Sequence, residues 1–143
     1  MAGNEFAVGA FVHPQLRKLG DSVHAQTAAP LAAVLGKAMP LWYGLALVLI
    51  LGAAFEHRPV MSGPGLFIVL AAGLWAATIV FTVTMLVPIN NRIAKMNPAH
   101  PYDGWLRDRC RWDQLHQVRV VLLIIAFLLL LTGLFSGAAA PIT

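Results

Sequence analysis

Apolar residues in this chain gather into long blocks, separated by short polar, proline-bearing or basic segments. Residues 41–55, 65–89 and 117–133 are dominated by Leu, Ile, Val, Phe and Ala, and blocks of this kind predict helices that cross a bilayer. A first block, residues 1–14, is shorter. Fourteen helical residues reach about 21 Å against a hydrocarbon core of about 30 Å. A complete first span therefore requires the helix to kink through Pro14, or to begin upstream of Met1. Residues 15–37 mix charged and small apolar positions and read as an amphipathic helix lying near the interface, broken at Pro30. Pro40 opens the second span, with Trp42 and Tyr43 as interfacial belt residues. Residues 56–64 form a turn, and residues 97–104 (NPAHPYDG) a loop dense in helix breakers. The expected fold is all-α. It is one domain over residues 1–143, an up-and-down four-helix bundle integral to the membrane, with long helical extensions on its cytoplasmic side.

Composition sharpens this picture. Of 143 residues, 59% are hydrophobic and 11% charged, and mean hydropathy is +0.74. No soluble domain of this length hides so much apolar surface. Net charge is +4, but placement matters more than the total. Nine of the ten basic residues, from Arg17 to Arg119, fall on one side of the expected topology and Arg58 alone on the other. That asymmetry predicts cytoplasmic basic loops and both termini outside, in a bacterial inner (plasma) membrane. Because the charges hug span ends, they suit anionic lipid rather than nucleic acid. The single cysteine, Cys110, rules out an intramolecular disulfide. A thin bundle of four spans also admits self-association into a homo-oligomer.

The most informative stretch is WLRDRCRWDQLHQVRVVLLIIAFLLLL, which starts as a charged helix and turns apolar without a break. Trp105, Arg109, Trp112, His116 and Arg119 recur at intervals of four, three, four and three, which places all five on one helical face. Such a stripe faces a protein interior, a headgroup layer or a ligand. His13 at the end of the first block, and Asn90 and Asn91 at the end of the third, lie at the same depth and can converge with it. Glu5 becomes an intramembrane carboxylate, and so a site candidate, if the first helix is a full span. A histidine in this set can take a proton from a phenol or an activated carbon acid. Arginine and asparagine can hold the resulting oxygen charge, and Trp112 and Trp105 can pack a flat ring. His13 and His116 offer instead a pair of ligands for haem, copper or iron. The alternative to catalysis is an accessory or lipid-binding subunit whose stripe docks on a partner through the exposed Trp105 and Arg109.

The segments GAFVHP, VPINNRIAKMNP and W-x6-W-x3-H-x2-R together resemble the anthrone-oxygenase-like family of small four-helix membrane proteins. The resemblance spans essentially the whole chain and is most specific at Asn90/Asn91, Trp112, His116 and Arg119. It implies oxidation of anthrones to anthraquinones with dioxygen and no soluble reductant. The expected activity is that of a membrane-embedded oxidoreductase acting on a hydrophobic or aromatic small molecule at the cytoplasmic mouth of the bundle. His116 would be the base or a ligand, Arg119, Asn90 and Asn91 would stabilise oxygen charge, and Trp112, Trp105 and Glu5 would bind substrate.

Overall fold

In the computed structural model, which describes residues 1–57, 59–61 and 63–138, every regular element is helical. The chain opens with α1 (Ala2–Ala7), a wide π-turn (Val8–Val12) and α2 (His13–Leu16), stacked end to end. Next come α3 (Asp21–Glu56), α4 (Gly63–Phe81), a second π-turn (Thr82–Leu86), α5 (Val87–Ala94) and α6 (Trp105–Ala138). Both π-turns end two residues before a proline, Pro14 and Pro88. A proline gives no N–H and its ring crowds the carbonyl four residues back. The widened turn moves that carbonyl aside, and the helix passes the proline instead of stopping at it.

Three helical runs are long and apolar enough to cross a membrane: Asp21–Glu56, Gly63–Ala94 and Trp105–Ser136. The first run, from Ala2 to Leu16, is not among them. At 1.5 Å per residue, the 36 residues of α3 extend about 54 Å, well beyond a hydrocarbon core of about 30 Å.

The reading of residues 15–37 as a separate interfacial helix broken at Pro30 is wrong. α3 runs through both Pro30 and Pro40 without interruption. The physical reason is its small-residue face. Ala25, Ala28, Ala29 and Ala32, spaced three, one and three apart, are buried against Leu86, Ile89, Ile93 and Met96 from the α4–α5 run and against Trp105 and Trp112 of α6. Alanine lets backbones approach closely, and that packing holds the helix together. Both prolines are exposed, and Pro40 borders the cavity described below.

A second core fills the other half of the bundle, with Tyr43, Ile50 and Ala54 of α3, Ile68, Ala71, Ala72 and Trp75 of α4, and Leu123 and Ala126 of α6. Trp75 Nε1 donates to the main-chain oxygen of Tyr43 at 3.1 Å, tying α4 to α3. α4 and α6 meet most closely at Gly133. A Cβ there would come within 2.5 Å of Ile68 Cγ1 and 2.9 Å of the Pro64 carbonyl. Gly133→Ala is therefore expected to destabilise the bundle by about 1–3 kcal/mol, since neither neighbour is a flexible side-chain end that can swing away. Thermal unfolding of the detergent-purified variant checks this, and an unchanged midpoint would contradict the close approach.

At the basic end, α5 turns into α6 through a loop capped locally. The Asn97 side chain accepts from Ala99 N at 3.0 Å, and Gly104 takes φ +87°, a conformation costly for other residues. Asp108 Oδ2 accepts from both Arg92 Nε (2.7 Å) and the Tyr102 hydroxyl (2.9 Å), fastening the hairpin. Burial raises the pKa of the Tyr102 phenol, and its hydrogen bond to Asp108 acts in the same direction.

Candidate functional site

The stripe on α6 is buried along its whole length. Trp105, Arg109, Trp112, His116 and Arg119 are between 1% and 8% exposed. What meets it is the first helix, which carries Glu5 and His13, both buried. Gly9, inside the first π-turn, makes the approach possible, because a Cβ at that position would lie 3.2 Å from two atoms of the His116 ring.

Two polar networks result. In the inner one, Arg119 Nη2 donates to Glu5 Oε2 at 2.6 Å and also contacts His116 Nδ1 at 2.7 Å. A guanidinium can only donate, so Nδ1 must be the unprotonated nitrogen of His116. Nε2 then carries the hydrogen and donates to the main-chain oxygen of Glu5 at 3.2 Å. His116 is thereby held as a neutral imidazole of defined tautomer, with both nitrogens engaged by its neighbours. Arg119 and His116 both approach Oε2 of Glu5, at 2.6 and 3.4 Å, and neither approaches Oε1.

The outer network centres on Asp113. His13 Nδ1 lies 2.9 Å, Arg17 Nε 3.1 Å and Arg109 Nη2 3.2 Å from its carboxylate oxygens. Trp112 packs against both networks, which also meet directly where the His13 and His116 rings lie 5.2 Å apart. The Trp112 ring stacks on His116 (centroids 4.9 Å apart, planes 8° apart), touches His13 at 4.9 Å, and lies under the Arg109 guanidinium at 4.9 Å. Trp112 is thus a packed wall rather than an open stacking surface.

The inner network lines a cavity of about 200 Å³ between the first helix, α3, the α4–α5 run and α6. Asn4, Glu5, Tyr43, Thr82, Asn90, Trp112, His116 and Arg119 supply its polar and aromatic lining, and the rest of the wall is largely aliphatic, including Leu35, Met39, Ile79 and Leu86. Asn90 enters half-buried and donates its Nδ2 to the Ala32 carbonyl at 2.9 Å. It does so across Gly36, where a Cβ would sit 2.8 Å from that nitrogen.

Several sequence expectations are corrected by this geometry. Asn91 is exposed and is not part of the cavity wall. One residue along a helix is a rotation of about 100°, so two adjacent asparagines cannot share a face. Trp105 packs edge-on against His24 with centroids 5.2 Å apart, in the alanine-lined core and away from the cavity. Because Trp105 and Arg109 are both buried, a docking role resting on their exposure is lost as well. His13 and His116 do not fit as a metal or haem pair. Their ring centroids are 5.2 Å apart and tilted by 40°, with Trp112 against both, so no macrocycle passes between them. His13 Nδ1 faces Asp113, His116 uses both nitrogens, and among the described residues no three His, Cys, Asp or Glu side chains form a metal-binding group.

Two residues of the site were not singled out from sequence. Asp113 carried a usable signal, since it stands four residues after Arg109 and a buried arginine needs an acidic partner on its face. Tyr43 had none. Only the fold turns it from an interfacial belt position to the cavity wall.

An ion-paired carboxylate, buried with an arginine and a histidine, thus borders a largely apolar cavity in a helical protein with three helices long and apolar enough to cross a membrane. Comparison with known families supplies the next step. Residues 24–129 match the anthrone oxygenase family, and the chain belongs to that family. The matched segment carries Tyr43, Asn90, Trp112, His116 and Arg119, whereas Glu5 and His13 precede it. No curated protein sequence matches the chain, nor does any solved structure.

Proposed function

We propose that this protein is a membrane-embedded oxygenase that converts a flat, hydrophobic carbon acid of the anthrone type to the corresponding quinone with dioxygen. The observation that carries the reading is the Glu5–Arg119–His116 network in the wall of the largely apolar cavity. Family membership supports it independently.

The chemistry balances with dioxygen alone. A methylene flanked by aromatic rings and conjugated to a ketone loses a proton to give an enolate. Dioxygen adds at that carbon, forming a C–O bond, and a returning proton makes the hydroperoxide. Loss of the second C–H hydrogen with cleavage of the O–O bond leaves a carbonyl and releases water. The substrate carbon gives up four electrons and the two oxygen atoms take four, so no further reductant enters.

In this reading Glu5 is the base, acting through Oε1. His116, expected from sequence to be the base, has its lone pair at Nδ1 turned to Arg119, so its role is to position the pair. Arg119 balances the enolate and peroxide charge in a setting where water does not compete. Trp112 and the aliphatic wall hold the ring system, and Asn90 offers its amide at the rim.

The test is turnover of anthrone by the purified protein, followed by the growth of anthraquinone absorbance and the uptake of one dioxygen per anthrone. His116→Ala is expected to lower the rate by about 10²-fold, the scale of a group that positions an acid–base catalyst, while the protein still purifies as a monodisperse species. Wild-type protein that leaves anthrones untouched while remaining folded would sink the reading.

A further inference from the structure

Two residues of the cavity wall carry buried hydrogen-bond donors that have no acceptor among the described residues. These donors are the Tyr43 hydroxyl and Arg119 Nε. Both side chains line the cavity, and the residues are 4% and 6% exposed. They are neighbours, since the Arg119 guanidinium lies 5.8 Å from the Tyr43 ring centroid. The Glu5 carboxylate is the acceptor that neighbours the Tyr43 hydroxyl, and their contact falls outside hydrogen-bond geometry. Tyr43 is not free to turn away. Its ring packs on Trp75 with centroids 5.7 Å apart, and its main-chain oxygen is bound by the Trp75 indole. A buried donor without an acceptor costs free energy that a ligand oxygen would recover. Two such donors, on neighbouring residues of one largely apolar cavity, suit an oxygen acceptor on an otherwise apolar molecule.

We infer that Tyr43 is a ligand-recognition residue whose hydroxyl, together with Arg119 Nε, binds the ketone or enolate oxygen of a flat aromatic ligand in this cavity. The inference rests on the aromatic-substrate reading above and extends it. It sets the ligand's orientation, with the oxygen at Tyr43 and Arg119 and the reacting carbon toward Glu5. It also sets a selectivity, because an aromatic of the same shape without the oxygen leaves both donors unpaired.

The experiment compares 9,10-anthraquinone with anthracene, matched tricyclic probes with and without carbonyl oxygens. Binding to wild-type and Tyr43→Phe protein in the same detergent is followed by quenching of tryptophan fluorescence. Wild type is expected to prefer the quinone. Tyr43→Phe is expected to weaken quinone binding about tenfold, the worth of one neutral hydrogen bond at the upper end of its range, and to leave anthracene binding unchanged. Retained anthracene binding also shows that the variant's cavity is intact. If Tyr43→Phe keeps the wild-type preference, or weakens both probes equally, Tyr43 is a packing residue and the inference is overturned, while the aromatic-substrate reading stands. If wild type binds neither probe, that reading falls and the inference with it. Equal binding of both probes by wild type overturns the oxygen recognition alone.

Discussion

Glu5→Gln is expected to abolish oxidation of anthrone, lowering the rate by at least about 10³-fold, while the protein inserts and purifies like wild type. The substitution is nearly isosteric and keeps a side-chain oxygen for Arg119, which now donates to Glu5 Oε2 at 2.6 Å. What it removes is the basicity of the carboxylate. His116 cannot take over without breaking its own contacts, since Nδ1 meets Arg119 and Nε2 meets the Glu5 main chain. Single-turnover rates under dioxygen, measured with ligand affinity in parallel, separate the two losses. A large fall in rate at unchanged affinity is the expected outcome. Activity within tenfold of wild type would remove Glu5 as the base and return that role to His116.

The second large effect concerns stability. Arg119→Ala leaves the Glu5 carboxylate, 3% exposed, without its cation. Removing one partner of a buried ion pair costs about 3–5 kcal/mol, because the remaining charge is stranded away from water. The expected result is a variant that melts far below wild type or fails to accumulate. The control is the double substitution Glu5→Gln with Arg119→Met, which takes away both charges and keeps the volume. It is expected to recover most of the lost stability, since replacing both members of a buried pair by groups of similar shape is close to neutral. If the double variant is as unstable as Arg119→Ala, Arg119 acts mainly by packing on Trp112 and Tyr43, whose ring centroids lie 5.9 and 5.8 Å from its guanidinium carbon. Neither variant is expected to turn over substrate.

Much of this molecule could be read without coordinates, and the reasons lie in particular residues. The stripe Trp105, Arg109, Trp112, His116 and Arg119 was legible because a straight helix fixes which residues share a face. Long apolar runs were legible because bilayer thickness sets a length that composition must fill, although four spans were expected and three of that length are found among the described residues. The site was visible in outline, since polar residues flanking an apolar block are rare enough to stand out. Residues 21–37 were misread because an alanine face contributes little to amphipathic contrast. Alanines at 25, 28, 29 and 32 look like a bland stretch until Ile89, Ile93 and Trp105 are seen against them.

Sequence alone was enough for an all-helical chain with long apolar helices, expected as four spans where three reach membrane length, and for a polar stripe along one face of the last of them at the basic end. These follow from periodicity and hydropathy, which are properties of each segment alone. Only the tertiary structure decided what the stripe meets. It brought Glu5 to Arg119 across 114 residues of sequence, put Asp113 between His13 and two arginines, sent Asn91 outward, and made Tyr43 part of the cavity wall. Pairings of this kind depend on how helices rotate and slide against one another. That is set by close packing at a few small residues such as Gly9, Gly36 and Gly133, whose role no single segment reveals.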